Sequence, residues 1–343
     1  MKIGILGHFA KGESACGGQV IKTRIIEQAL LAKNEEIAVV DSYKWKKHPF
    51  KFLFDIFKLS RKSDAMLMLP DAGGVKIYPF LLKMFLSKKK KCFYVVIGGW
   101  LPNFLKKRKL LTKTLKRFDG ILVETDSMKK ALEEQGFTNV IVMPNCKNLK
   151  ILKPEELVYP ESLPYKLCTF SRVMKEKGIE DAVNAVKQIN EEMGKTVYTL
   201  DIYGQVDLGQ AQWFDDLKAS FPPYVHYCGV VNYDKSVDVL KDYFALLFPT
   251  HYYTEGIPGT IIDAYAAGVP VIAAKWESFA DVIDDKQTGF VYEIGNECEL
   301  IMILHSVLRN PKLVGEEKLN CIAKARLYLP ENVINILLNE INR

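Results

Sequence analysis

The sequence predicts an α/β protein made of two Rossmann-like, doubly wound parallel-sheet domains that face each other across a cleft. Three observations predict this class. The chain has 343 residues, which is too long for one compact core and suits two domains. Buried strand patterns alternate with helical patterns along the whole chain, as is typical of parallel sheets. The alternation also starts a second time near residue 165, after a polar segment that contains three prolines.

The individual elements can be placed from the apolar runs of the sequence. Six runs predict the strands of the first sheet, at residues 3–6, 37–40, 65–69, 93–97, 121–123 and 140–143. Six more predict the second sheet, at residues 167–170, 199–203, 225–228, 245–248, 271–273 and 290–292. The segment 147–164 has no periodicity and predicts the joint. We therefore expect domains at 1–155 and 165–325, followed by a helical segment, 326–343, that returns to the first domain.

Composition restricts the class of protein. Hydrophobic residues make up 48% of the chain and charged residues 26%, as in soluble globular proteins. No apolar run approaches about 18 residues, so we expect no transmembrane helix. The first seven residues predict a strand rather than a signal peptide. The seven cysteines are scattered without a CxxC pair, which argues against a disulfide framework or zinc site and favours a cytoplasmic protein.

Charge is divided unequally along the chain. Residues 1–150 hold 29 Lys and Arg against 13 Asp and Glu, a balance of +16, whereas the whole chain carries only +6. In residues 44–54 the basic residues alternate with aromatic ones, a combination that suits an anionic membrane surface. An ordinary solvated basic face is the alternative. No nucleic-acid-binding motif accompanies the charge, so nucleic acid is not an expected partner.

The segment 254–264 carries the strongest functional signal. It places Glu255 and Asp263 eight positions apart, with a Gly/Pro turn between them and a helix pattern that starts at about Gly259. The glycines of this turn let backbone amides approach a ligand, and the first amides of a helix suit a phosphate. Carboxylates can accept hydrogen bonds from hydroxyls. Together these features predict a nucleotide-sugar site, whose turn includes Gly256, Ile257, Pro258, Gly259 and Thr260.

A second signal follows the first strand of the second domain. Arg172 comes directly after that strand, and Lys177 precedes the next helix pattern. Ligands of parallel sheets bind beyond the carboxyl ends of the strands. A guanidinium and an ammonium at such an end suit a diphosphate, although basic residues in loops are more often only solvated.

The first strand–helix loop of the chain carries Gly17 and Gly18, which would let the backbone meet a ligand from the other wall of the cleft. This loop is not a GxGxxG turn, so a Rossmann oxidoreductase has little support. The sequence also contains no Asp-x-Asp triplet, no GKS or GKT loop and no Gly-x-Ser-x-Gly elbow. We therefore expect no metal ion and no cofactor besides the nucleotide-sugar substrate.

These residues resemble the retaining GT-B glycosyltransferases of family 4, also called glycosyl transferases group 1. The resemblance covers nearly the whole chain and is strongest at residues 168–293. Its motifs are residues 171–178, 201–204, 226–229, 255–258 and 267–272.

The resemblance implies roles for individual residues. Arg172 and Lys177 would bind the donor diphosphate and stabilise the leaving nucleoside diphosphate, and Glu255 would bind sugar hydroxyls. Asp263 stands where the family usually has a second Glu that binds the ribose, and it is one methylene shorter. The remaining donor-binding positions that it implies are Gly17, Gly18, Gly204, Gly256, Ile257, Pro258, Gly259 and Thr260.

The family often carries a His after the fourth strand, where this chain has Gly98-Gly99-Trp100. The resemblance implies a metal-independent transferase that uses a UDP- or GDP-sugar, with the donor held by the second domain and the acceptor by the first. It further implies a glycan or lipid-linked acceptor in surface polysaccharide biosynthesis, at the inner face of the membrane. The alternative is a non-catalytic nucleotide-sugar-binding protein of the same fold.

Overall fold

The structure is a computed structural model that describes residues 1–11 and 18–343. Within these ranges the chain forms two compact units. The first contains Met1–Asn148 together with Tyr328–Arg343, and the second contains Leu149–Leu327. Each unit is built around one six-stranded parallel sheet.

The sheet of the first unit has the strand order β2-β1-β3-β4-β5-β6. Its strands are β1 (Lys2–Gly7), β2 (Glu36–Asp41), β3 (Ala65–Leu69), β4 (Lys91–Val95), β5 (Gly120–Val123) and β6 (Val140–Val142). The helices of this unit are α1 (Gly18–Ala32), α2 (Pro49–Lys62), α3 (Tyr78–Phe85), α4 (Leu101–Leu105), α5 (Lys109–Leu115), α6 (Asp126–Glu133) and the C-terminal α13 (Pro330–Asn342).

The helices cover both faces of this sheet because side chains alternate along each strand. In β3 all five residues are buried. Ala65, Leu67 and Leu69 belong to the core that includes residues of α1 and α13. Met66 and Met68 belong to the opposite core, which includes residues of α2, α3 and α6. A strand buried on both faces has no polar positions, so it appears in the sequence as a continuous apolar run.

The sheet of the second unit has the order β12-β11-β10-β7-β8-β9. Its strands are β7 (Tyr165–Phe170), β8 (Tyr198–Tyr203), β9 (Val225–Gly229), β10 (Ala245–Phe248), β11 (Val271–Ala274) and β12 (Gly289–Tyr292). Its helices are α7 (Ile179–Glu192), α8 (Ala211–Ala219), α9 (Ser236–Leu240), α10 (Gly259–Ala266), α11 (Glu297–Arg309) and α12 (Lys312–Ala325).

Burial alternates in the same way in the second unit. Ala245 and Leu247 of β10 belong to a core with residues of α7, α8 and α11. The alternate residues, Leu246 and Phe248, are also buried but lie outside that core. On the second unit α10 packs against both α9 and α12. The predicted class, two doubly wound parallel α/β domains, is confirmed.

None of the helices in the described ranges has the length and apolar character needed to cross a bilayer.

Candidate functional site

The candidate site lies at one edge of the second sheet, where three neighbouring strands end. Arg172 and Lys177 follow β7, Gly204 follows β8, and Glu255 follows β10. In the sheet β7 lies between β10 and β8. Because the carboxyl ends of parallel strands meet at the same edge, these loops become neighbours although they are far apart in the sequence.

Lys177 and Glu255, which the sequence predicts separately, form a direct ion pair. Lys177 Nζ donates a hydrogen bond to Glu255 Oε1, across 78 positions of the chain. The two side chains are 19% and 14% exposed, so the pair is partly withdrawn from water. Thr250 Oγ1 lies 3.3 Å from the same Glu255 oxygen. A cation, a carboxylate and a hydroxyl therefore meet at one point of the site.

The short turn that carries Lys177 is held from two sides. Gln210 Oε1 accepts a hydrogen bond of 2.8 Å from Lys175 N, and Gln210 Nε2 donates one of 2.9 Å to Glu176 Oε2. This side-chain hydrogen bond lowers the pKa of Glu176. His251 N donates to the Glu176 carbonyl oxygen at 2.9 Å. The loops after β8 and β10 therefore fix the position from which Lys177 reaches Glu255.

Two glycines allow the strand-end loops to pack closely. Gly178 has φ +65°, and a Cβ there would lie 1.8 Å from the carbonyl oxygen of Pro249. Gly204 has φ +139°, and a Cβ there would lie 1.7 Å from the carbonyl oxygen of Ser171. No side chain fits at either distance. Glycine is therefore required at both positions by backbone conformation and by space.

Arg172 lies on the same edge but is not joined to the Lys177–Glu255 pair. Its guanidinium forms an ion pair with Asp207 at 3.6 Å and is 59% exposed. Within residues 1–11 and 18–343 it makes no hydrogen bond or ion pair with Lys177 or Glu255. The sequence did not predict a role for Asp207, because this single acidic residue in the loop after β8 belongs to no recognised motif. Asp207 Oδ1 also accepts a hydrogen bond from Gly209 N at 2.9 Å.

The turn before α10 brings the remaining predicted residues to the site edge. Pro258 precedes the helix, and Gly259 and Thr260 are its first two residues. Their amides belong to the first turn, whose N–H groups have no partner inside a helix. The Thr260 hydroxyl is buried and finds no hydrogen-bond partner in the part of the chain that the structure describes. This helix start therefore offers unused donors, as an anion site requires.

The other predicted residues of this segment are more deeply placed. Gly256 is buried, and Ile257 is 5% exposed. Asp263 lies one turn into α10 and is 3% exposed. Little of its surface is therefore accessible from solvent.

Two predicted positions lie in the first unit. Gly17 is outside the described residues, and Gly18 is the first residue of α1, where nothing lies within 4 Å of a Cβ position. At the position where the resembled family often has a His, Gly98 has φ +79°. There Trp100 Nε1 donates a hydrogen bond of 2.8 Å to the Ile97 carbonyl oxygen.

Over the described ranges, no group of three or more His, Cys, Asp or Glu side chains is arranged to hold a metal ion.

Comparison with known proteins supports the resemblance. Residues 164–310 match the family model described as glycosyl transferases group 1. A search of curated proteins finds no match.

Solved structures of similar fold cover the whole chain. Anabaena Alr3699/HepE in complex with UDP has a TM-score of 0.78 and 14% identity, over 99% of this chain and 98% of that one. Sucrose-phosphate synthase from Thermosynechococcus elongatus has a TM-score of 0.78 and 15% identity, over 99% of both chains. The lipopolysaccharide outer core galactosyltransferase WaaB in its apo form has a TM-score of 0.69 and 16% identity, over 100% and 99%. The chain therefore has the GT-B fold, and residues 164–310 carry the match to glycosyl transferases group 1, the family that the sequence resembles.

Proposed function

We propose that this protein is a retaining, metal-independent glycosyltransferase that transfers a sugar from a UDP- or GDP-sugar to an acceptor. The observation that carries the proposal is the meeting of Lys177 and Glu255 beside the start of α10, inside the segment that matches the family model. HepE, which has a similar fold, is solved with UDP and with UDP-glucose. No further cofactor is needed for this reaction.

The proposed donor site uses the residues at this edge in distinct roles. Arg172 and Lys177 bind the diphosphate, because an Arg fork and a Lys point charge complement its oxygens. The amides of Gly259 and Thr260 bind a phosphate at the helix start. Glu255 accepts hydrogen bonds from sugar hydroxyls. The ribose is assigned to Asp263, and Gly204, Gly256, Ile257 and Pro258 supply the close backbone approach.

The proposed chemistry is a front-face displacement. As the bond from the sugar to the diphosphate breaks, positive charge grows on the sugar and negative charge on the leaving phosphate oxygen. Lys177 and Arg172 stabilise that negative charge, which lowers the barrier. The leaving oxygen accepts the acceptor's proton while the acceptor oxygen bonds to the same face of the anomeric carbon. The anomeric configuration is therefore retained without a protein nucleophile.

Nucleotide binding and turnover test the proposal in sequence. Thermal unfolding is measured with UDP, GDP, ADP, CMP and NAD, without added metal. A nucleotide at about 100 times its dissociation constant stabilises a protein by about 2.7 kcal/mol. We expect UDP or GDP alone to stabilise the protein, with the effect lost in Arg172→Ala. The matched control is Lys187→Ala, which removes a charge from an exposed position on α7.

Turnover separates an enzyme from a binding protein. Release of nucleoside diphosphate from UDP-glucose and GDP-mannose is followed with glycan and lipid-linked acceptors. We expect turnover in the wild type and its loss in Glu255→Gln, with UDP or GDP binding kept. Nucleotide binding without turnover for any acceptor would favour a non-catalytic nucleotide-sugar-binding protein. Stabilisation by NAD alone would favour an oxidoreductase and contradict the proposal.

We further propose a lipid-linked acceptor at the inner face of the membrane, in surface polysaccharide biosynthesis. The support is an exposed apolar surface on the basic unit, here called the α2–α3 ridge. It consists of Phe50, Phe54, Phe57 and Met84, which are 86%, 62%, 44% and 66% exposed. The phenylalanines are spaced i, i+4 and i+7, so they share one side of α2.

Cations surround this ridge. Lys51, Lys58, Arg61 and Lys62 are exposed on the same helix. The opposite side of α2, with Phe52, Ile56 and Leu59, is buried. Exposed aromatic residues beside Lys and Arg suit an anionic lipid surface, where each cation contributes about 1 kcal/mol.

Co-sedimentation with vesicles tests the membrane proposal. We expect binding to vesicles with anionic phosphatidylglycerol, weaker binding at high salt, and loss of binding in Phe50→Ser/Phe54→Ser. The control is Leu208→Ser, which changes a side chain that is 90% exposed on the second unit. Equal binding of the two variants, or no binding by the wild type at low salt, would contradict this role.

A further inference from the structure

A second cavity of the second unit lies outside the candidate donor site. It is open, has a volume of about 800 Å³, and is bounded by β12, α11 and α12. Its apolar wall includes Phe290, Met302 and Leu313, and its polar wall includes Glu299, Glu316 and Glu317. It shares no lining residue with the donor site proposed above. The volume suits a small organic molecule, because ligand cavities have volumes of about 300–1,000 Å³.

Glu317 is the unusual residue of this cavity. The residue is 3% exposed, and its Oε2 atom is buried without a hydrogen-bond partner. No ion pair or hydrogen bond to this carboxyl occurs in residues 1–11 and 18–343. Buried polar groups are normally paired, because an unpaired one loses its hydration without compensation. A buried carboxyl that lines a cavity and has no partner points to a partner from outside the chain.

The two lysines that follow Glu317 on α12 are engaged elsewhere. Lys318, the next residue on α12, donates a hydrogen bond of 3.1 Å to the Gly268 carbonyl oxygen. Lys324 forms an ion pair of 2.7 Å with Asp284. Neither cation therefore neutralises Glu317, although both belong to the same helix.

Titratable groups near Glu317 are mostly acidic. Burial, together with the smaller effect of the nearby charges of Asp285 and Glu316, raises the pKa of Glu317 to about 8. Cys321 of α12 also interacts electrostatically with it. The cavity wall itself carries three carboxyl groups and one ammonium, that of Lys286. This charge balance favours a cationic ligand over an anionic one.

We propose that this cavity binds a small organic amine in its ammonium form, with the N–H groups donating to the Glu317 carboxylate and the apolar body resting against Phe290, Met302 and Leu313. This site is additional to the proposed glycosyltransferase function and does not depend on it. At pH 7 the ammonium displaces the proton of the Glu317 carboxyl group to solvent. Ammonium binding is therefore coupled to the release of about one proton.

The test uses 2-phenylethylamine as the probe and 2-phenylethanol as its uncharged counterpart. Met302 is 64% exposed and lines the cavity, so the resonance of its ¹³C-labelled methyl group reports occupancy. Assignment comes from Met302→Leu. We expect titration with the amine to shift this resonance. The affinity for the alcohol, measured from the same resonance, should be at least about tenfold lower. Loss of charge in Glu317→Gln should weaken amine binding about 10- to 100-fold.

The matched control is Glu316→Gln, which removes an exposed carboxylate of the same cavity wall and should change affinity less than about twofold. Equal binding of amine and alcohol, or equal weakening by the two Gln variants, would overturn the proposal. So would the absence of any Met302 shift in the folded wild type.

A second measurement needs no variant. Calorimetric titration of the wild type with the amine at pH 7, in phosphate and in Tris, gives the number of protons released. A value near one supports the proposal. Identical heats in the two buffers would mean that amine binding releases no proton, and would overturn the predicted exchange of the Glu317 proton for the ammonium.

Discussion

Replacement of Gly204 by Ala tests the packing on which the candidate donor site depends. Gly204 N donates to the Gly229 carbonyl oxygen at 2.8 Å, and its own carbonyl oxygen accepts from Tyr227 Oη at 2.9 Å. A Cβ would meet the carbonyl oxygen of Ser171 at 1.7 Å. The loop that carries Arg172 would therefore have to move away from the end of β8.

The expected magnitude follows from a comparison with Gly194. At Gly194 φ is +62° and nothing lies within 4 Å of a Cβ, so Ala there costs about 1 kcal/mol of backbone strain. At Gly204 a φ of +139° contributes about 1–3 kcal/mol, and the forced displacement adds about 1–3 kcal/mol. We expect Gly204→Ala to lower the free energy of unfolding by about 3 kcal/mol or more, and Gly194→Ala by about 1 kcal/mol.

Urea unfolding followed by tryptophan fluorescence measures both variants. Both variants also carry Trp45→Phe and Trp100→Phe. The remaining tryptophans, Trp213 and Trp276, lie in the second unit, so the fluorescence reports its unfolding. Calorimetry then compares their affinities for UDP and GDP. Gly204→Ala should weaken nucleotide binding, whereas Gly194→Ala should not. If the two variants agree within about 0.5 kcal/mol in stability and bind nucleotide equally, the close approach of the loops is not as described.

Three further predictions concern polar groups that are buried or partly buried. Lys22 and Glu124 form a buried ion pair of 2.7 Å, so Lys22→Met should destabilise the first unit by about 3–5 kcal/mol. The double variant Lys22→Met/Glu124→Leu should destabilise it by less, because no unpaired charge is left buried. A loss of under about 1 kcal/mol for Lys22→Met in urea unfolding would contradict this. Asn190 makes three hydrogen bonds to backbone groups, of 2.8, 2.9 and 3.0 Å, so Asn190→Ala should cost about 2–4 kcal/mol in the same assay, and a near-neutral result would show that water replaces them. Burial acts to raise the pKa of Asp41, but hydrogen bonds from four backbone amides outweigh it and hold the pKa below its usual value. Its stabilisation is therefore present above about pH 4 and lost as pH falls through the folded-state pKa, so the stability difference between wild type and Asp41→Asn should shrink on acidification; a pH-independent difference would refute this.

The strands could be predicted because their signal is local. All twelve predicted runs overlap strands. The signal is clearest in strands such as β3 and β10, because a strand buried on both faces leaves a continuous apolar run in the sequence. The first and last residues of the strands were predicted less accurately. The fourth run was predicted at 93–97, and the strand is Lys91–Val95. The charged Lys91 did not fit the apolar pattern, so the start of this strand was not predicted. Its long side chain reaches the Ile341 carbonyl oxygen at 3.0 Å, which satisfies its charge at the amino end of the strand.

The candidate site was only partly predictable for a related reason. Arg172, Lys177 and Glu255 could be recognised individually from their motifs and from their positions after strands. The ion pair of Lys177 with Glu255 and that of Arg172 with Asp207 could not, because no sequence spacing gives the distance between side chains on different loops. That distance depends on strand order and on how closely the loops can approach at Gly178 and Gly204.

The sequence by itself therefore determined the alternation of strands and helices, the position of the glycine turn before α10 and the unequal division of charge, all of which depend on neighbouring residues. Only the tertiary structure decided which side chains meet and which are buried alone. Glu317 illustrates the difference: in the sequence it is one of several charged residues on a polar helix, with Lys318 beside it. In the fold, neighbouring positions of a helix point in different directions, so the two charges are buried apart and Glu317 is left without a partner among the described residues.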